Sequence, residues 1–219
     1  MTRQRVLLIL GGMFHDFEGF AATIRPVVES AGYSLTATYD LDELTGLDGG
    51  AYDIVMSDTS LSRHREGQPS ATPETLTPDQ TEGLVRWVRA GGALVGVHSA
   101  TVSGIDNAAF RSLLGARFVS HPPQFVFSVT PTFREHPITA GVEAFTVKDE
   151  MYVQDYDPSI DIHMVTVDRG VAYPMVWSRT EGKGRVAHVS MGHGPQVWCL
   201  PQFRTLILQS LAWASETRG

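Results

Sequence analysis

The chain has 219 residues, 42% of them apolar and 19% charged, enough to bury a substantial core without covalent staples. Its formal charge of −7, with 17 scattered basic residues that include only two lysines (Lys148 and Lys183), argues against a nucleic-acid partner, which needs clustered positive charge. A single cysteine, Cys199, rules out an intramolecular disulfide and fits a reducing cytoplasm, and no apolar run approaches the length of a membrane span.

The N-terminal "RVLLILGG" is an apolar run closed by a glycine pair, too short for a signal-peptide core, and reads as a buried strand. "EGFAATIRPVVESAG" follows as a helix, with Gly32 as its stop and Pro26 predicting a kink or early break. "YSLTATYD" and "YDIVMSD" read as strands, and the polar stretch from Ser60 to Thr75 as a loop. Thr77, Pro78 and Gln80 spell a capping box with proline at the first helical position, opening a helix over "EGLVRWVRAGG". "ALVGVHSA" is the next strand, then a short helix near "NAAFRSLLG" and strands "ARFVSH" and "QFVFSVTP".

The second half is richer in strands: "FTVKDEMYVQ", "IDIHMVTVD", and a hairpin over "YPMVWSRTEGKGRVAHVSMGHG" that turns at Gly182 and Gly184. A last helix, "PQFRTLILQSLAWASE", carries a stripe of Phe203, Ile207, Leu211 and Ala214 flanked by Leu206 and Trp213. Alternating strands and helices imply an α/β fold with a mostly parallel central sheet covered on both faces, and extra strands in the second half. With no repeat or linker, residues 1–219 read as a single domain.

Reactive groups in such a sheet gather at the C-terminal ends of parallel strands. Four histidines stand at predicted strand ends: His15, His98, His121 and His193, a set able to bind a metal or move protons. His98 occupies the strand-to-helix exit "GVHSA", where related folds hold a nucleophile. Ser99 beside it reads either as a nucleophile or as a capping and hydrogen-bonding residue; on a strand it points away from His98. His193 lies between two glycines, while His64, His136, His163 and His188 read as structural or solvated. Asp149 and Glu150 interrupt an aromatic strand; alternation lets one face the cleft, and Glu150 is favoured as metal ligand or general base, with Asp58 a further candidate. Tyr152, Trp177 and Trp198 offer ring faces of the kind sugars stack on, or else belong to the core. Neither H-E-x-x-H nor C-x-x-C occurs, so a divalent metal such as zinc, the candidate cofactor, would be held by residues from distant segments. No G-x-G-x-x-G follows the first strand, which argues against a dinucleotide site.

The stretches "GGALVGVHSA", "HPITAGVEAFTVKDEMY", "GKGRVAHVSMGH" and "WCLPQFRTLILQSLAWA", in this order, resemble the ThuA-like family of trehalose utilisation, within the class I glutamine amidotransferase-like fold. The resemblance implies a flavodoxin-like three-layer sandwich and places His98, Glu150 and His193 as catalytic residues or metal ligands around one pocket. His15, Ser99, His121, Tyr152 and Trp198 complete the expected site as substrate-binding residues. Amidotransferases of this fold carry cysteine where this chain has His98, so glutaminase activity does not carry over. The family association implies an oxidised (keto) sugar or glycoside as small-molecule partner, and an isomerase, lyase or hydrolase working by His/Glu acid–base chemistry, metal-assisted or not. A non-catalytic carbohydrate-binding or partner module, and a hydrolase dependent on Ser99, are the alternatives. Neither nucleic acid nor membrane is expected as a partner, and a homo-oligomer is left open.

Overall fold

The computed structural model describes residues 3–62 and 73–216. Most of the loop expected over 60–75, and His64 with it, lies outside the described residues. In chain order the elements are β1 (Arg5–Gly12), α1 (Phe17–Ser30), β2 (Ser34–Thr38), β3 (Ile54–Ser60), α2 (Pro78–Arg89), β4 (Ala93–Val97) and α3 (Ala108–Leu114). There follow β5 (Ala116–Ser120), β6 (Phe125–Pro131), β7 (Phe145–Asp149), β8 (Val153–Tyr156), β9 (Asp161–Asp168), β10 (Val171–Glu181), β11 (Gly184–Val189), α4 (Pro195–Trp198) and α5 (Pro201–Ser215).

A nine-stranded sheet runs in the order β2-β1-β3-β4-β11-β10-β9-β6-β7. The β2-β1-β3-β4-β11 half is parallel, and from β10 to β7 the sheet is antiparallel. Inside the parallel half, β1, β3 and β4 are buried on both faces, which is why β1 and β4 read as continuous apolar runs, whereas only Leu35 of the edge strand β2 is buried. Along β1, Val6, Leu8 and Leu10 pack with α1 and α5 residues such as Phe20, Ile24, Phe203 and Ile207. Leu7 and Ile9, facing the other way, join Leu84, Trp87 and Val88 of α2 and Phe110 and Leu114 of α3. Two apolar layers therefore sandwich the sheet, and the stripe predicted on α5 is buried as expected. Among the described residues no helix is long and apolar enough to cross a membrane.

Local chemistry accounts for several boundaries. Thr77 accepts from the Gln80 backbone N–H while the Gln80 side chain accepts from Thr77 N–H, the reciprocal box that starts α2. The β10–β11 hairpin turns at Gly182, whose φ of 61° favours glycine. The break expected at Pro26 is absent, and α1 runs through to Ser30. Pro26 and Ala22 both lie on the exposed side of the helix, so the Ala22 carbonyl deprived of a donor faces water. "FTVKDEMYVQ" is not one strand: β7 stops at Asp149, three residues cross over, and β8 pairs with β5 in a separate two-stranded sheet. The short helix α4, between the last strand and α5, is an addition to the expected elements.

Candidate functional site

The strands deliver the site residues from several directions. β1 leaves the sheet through Gly11 and Gly12, at φ of 146° and 112°. A Cβ on Gly12 would lie 2.5 Å from Ser60, so only glycine fits against that strand. Ser60 secures the exit, accepting from Met13 N–H and donating to Met13 C=O. Phe14, exposed and with φ of 71°, leads into His15. His15 Nδ1 is 2.9 Å from the Met13 carbonyl, which can only accept. The ring is thereby fixed with its proton on Nδ1 and its lone pair on Nε2, near the Tyr152 hydroxyl at 3.3 Å.

β4 ends in the sharp exit anticipated from sequence. His98 takes φ of 37°, in the left-handed region where a bulky residue is strained, and it is fully buried. Its Nδ1 donates to the Ser190 carbonyl at 2.9 Å, turning Nε2 towards Glu150 Oε2 at 3.6 Å. The Ser99 side chain is also buried, and its hydroxyl donates to Asp58 Oδ1 at 2.8 Å rather than to an imidazole. Burial pushes the Asp58 carboxyl up to about 6, against the pull of Ser99 and His98.

The break after β7 brings in both acidic residues, where strand alternation allowed one. Glu150 Oε2 lies 3.1 Å from His193 Nδ1, 3.6 Å from His98 Nε2 and 3.7 Å from His121 Nε2. Asp149, fully buried, accepts from Gly192 N–H at 2.7 Å and His193 N–H at 3.2 Å. Sequence reading favoured Glu150 alone; the signal for Asp149 was the same paired carboxylates interrupting an apolar strand.

His15, His98 and His193 meet edge to face, with ring centroids 4.9 to 5.6 Å apart and planes inclined by 62° to 80°. One ligand atom from each of these histidines and from Glu150 falls within 4.8 Å of the others. Nε2 of His98 and Nδ1 of His193 are buried with no hydrogen-bond partner among the described residues. At 3.6 Å the His98–Glu150 pair is a charge contact, and the His193 nitrogen, though near, is out of line for a hydrogen bond. Ligand atoms gathered this closely, with His15 and His98 oriented through their other nitrogen by a carbonyl, fit a zinc-type donor set of three imidazoles and a carboxylate. His121, exposed at the rim, reaches Glu150 but not the rest of this set.

The charges are interlocked. Burial tends to neutralise Glu150, but His193 and His98 outweigh it and hold the carboxyl well below its usual range. Burial likewise disfavours imidazolium at His98, and Glu150, Asp149 and the Ser190 carbonyl more than compensate, raising it. His15, half-buried and facing His98, is pushed down to about 3 by desolvation and by His98, and stays neutral. Burial and the neighbouring carboxylates keep the Tyr152 phenol protonated.

The aromatic residues expected as stacking faces are buried. Trp177 donates to the Leu114 carbonyl within a small core of Ala116 and Ile160, and Trp198 donates to Gly192 O, bracing the turn that carries His193. Tyr152 is sandwiched by His98 and Phe118 at centroid distances of 4.2 and 4.5 Å. Tyr152 thus touches the site histidines directly and Trp198 only through the Gly192 carbonyl, whereas Trp177 packs away from them, against His188. A second group, His136, Asp161 and His163, is also compact. There the two rings stack at 3.7 Å and 13°, His163 Nε2 is bonded to Ser178 Oγ, His136 Nδ1 accepts from Ile138 N–H, and Asp161 pairs with Arg134.

A family model described as trehalose utilisation, ThuA, matches residues 5–214. Among solved structures, a ThuA-like protein from Parabacteroides merdae superposes with a TM-score of 0.78 at 18% identity, covering 98% of this chain and 90% of that one. A cytoplasmic protein from Salmonella typhimurium LT2 gives 0.69 at 13% identity, with 98% of each chain covered. A cold-adapted β-galactosidase from Rahnella sp. R3 gives 0.66 at 16% identity, where 96% of this chain matches 31% of that enzyme. At these identities the likeness is one of fold. No curated protein matches the sequence.

Proposed function

The chain belongs to the ThuA family of trehalose utilisation, and from that premise we propose that it is a cytoplasmic enzyme of sugar catabolism acting on an oxidised (keto) sugar or glycoside. The observation that carries this reading is the pair of buried nitrogens without a hydrogen bond, His98 Nε2 and His193 Nδ1, both set against Glu150 Oε2. A keto sugar has an acidic C–H next to its carbonyl. Removing that proton needs a base, and the resulting enolate oxygen needs a positive charge beside it. In the metal-free site His193 is placed to take up and return the proton, with Glu150 held ionised against its ring. There His98, whose imidazolium form Glu150 and Asp149 favour against its burial, is the group beside that oxygen. A divalent metal such as zinc would instead be held by His15, His98, Glu150 and His193, with the imidazoles neutral, and would supply that charge as a Lewis acid in place of the His98 proton. The commitment of Ser99 to Asp58 weighs against a serine nucleophile.

The test is kinetic. Against a panel of 3-keto disaccharides and glucosides, His98→Ala and Glu150→Gln should each lose at least about a hundredfold in turnover, the usual scale of acid–base catalysis, while circular dichroism stays unchanged. Full activity in both variants refutes the assignment. Saturable binding with no turnover by the unaltered protein would instead identify a carbohydrate-binding module.

A further inference from the structure

The turn that carries His193 is pinned at several backbone atoms and at the Ser190 side chain. The Ser190 carbonyl accepts from His98 Nδ1, the Gly192 carbonyl accepts from Trp198 Nε1, and Ser190 Oγ accepts from the Gln154 side chain. The two amides at the tip, Gly192 and His193, both donate to Asp149, one to each carboxylate oxygen. Gly192 itself has φ of 138°, and a Cβ there would stand 3.3 Å from His98 Cβ, so the turn lies directly against the buried imidazole.

Asp149 is 0% exposed and forms no ion pair with a cation among the described residues. A buried carboxylate in such a place is costly unless both oxygens find donors. Here the two backbone N–H groups provide them, and asparagine could not take its place: its NH₂ would point a donor at an N–H. Asp149 is also the immediate neighbour of Glu150, so adjacent residues grip one histidine, the first by its backbone and the second at its ring.

We propose that Asp149 is a positioning residue that clamps the Gly192–His193 turn and so sets His193 Nδ1 against Glu150 and His98 for binding a divalent cation. The inference rests on the metal-assisted reading of the site given above. Partners of this kind, one step removed from the ligands, typically change metal affinity 10- to 100-fold on substitution.

The experiment titrates the metal-free full-length protein with Co2+ and follows its visible d–d absorption. In Asp149→Asn, the dissociation constant should rise about 10- to 100-fold and the band envelope should change, because His193 is displaced. In a His193→Ala background the same substitution should have less than about a threefold further effect, since the residue acts through that histidine. An affinity within about twofold of the unaltered protein, an unchanged spectrum, or an undiminished effect in the His193→Ala background overturns the clamp. Should Asp149→Asn not fold, amide NMR of the unaltered protein decides: the Gly192 and His193 protons should be shifted downfield and protected from exchange, and ordinary shifts with rapid exchange overturn the proposal. If the unaltered protein binds no Co2+, the metal reading fails while those amide signals still judge the clamp.

Discussion

His188 lies in the middle of β11, between Trp177 of β10 and Gly96 of β4. It is fully buried, and neither ring nitrogen has a hydrogen-bond partner among the described residues. The packing is close, with a Cβ on Gly96 lying 2.6 Å from His188 Nδ1. Burial, with the charge of His98 beside it, pushes the imidazole down to about 3. Above pH ~6.5 the ring is neutral in both folded and unfolded chains and contributes no pH dependence. Below that value the unfolded chain takes up a proton that the folded protein refuses, so stability falls with pH until the folded value is reached. At ~1.4 kcal/mol per pH unit, the loss at pH 5 comes to about 2 kcal/mol. His188→Leu removes this dependence along with an unsatisfied polar group, whose burial costs about 1–3 kcal/mol. Urea unfolding of both proteins at about pH 7.5 and about pH 5 isolates the term, because other titrations cancel in the double difference. The variant should gain about 2 kcal/mol on the unaltered protein between the two conditions. Equal pH dependence in both proteins would show that the folded molecule accepts the proton, and would refute the argument.

Thr77→Ala breaks the reciprocal cap of α2 and should cost about 1 kcal/mol by chemical denaturation, with Thr77→Ser close to neutral. Zinc at a hundred times its dissociation constant should stabilise the protein by about 2.7 kcal/mol, and His15→Ala should greatly reduce that gain at the same zinc concentration; an equal gain in the variant places the metal elsewhere. Ser99→Ala leaves Asp58 with one donor fewer and should cost about 1–3 kcal/mol in stability, with no serine-directed covalent labelling of the unaltered protein. Labelling that disappears in Ser99→Ala would favour the hydrolase alternative.

Where sequence and structure agree, the cause is local or periodic. The apolar run of β1, the Thr77–Gln80 box and the glycine turn at 182 each carry their own geometry, and their elements form as read. The exit at His98 was legible too, because a buried strand that ends in small residues must turn. What the sequence concealed depends on distant partners. Met151 and Tyr152 continue an apolar pattern, so nothing nearby reveals that the strand ends at Asp149; the amides that hold Asp149 lie beyond residue 190. The tryptophans posed the same difficulty, since an indole in the core and one under a sugar have the same letter. Pro26 shows the converse: a strong local breaker is tolerated where the orphaned carbonyl meets water.

The sheet order has a consequence for how the molecule is made. β4 reaches the antiparallel half only through β11, which ends at Val189 in a chain of 219 residues. His15 and His98 follow strands on one side of that seam, while Glu150 and His193 follow strands synthesised later. Until β11 docks along β4, in register from Ala93 to Val97, the emerging chain has an unpaired parallel edge and only two of its three clustered imidazoles. Contacts so distant in sequence form late and slowly. On the metal-assisted reading, a cation would have no complete cage to nucleate around during synthesis, and its capture would report that the last strand has found its slot.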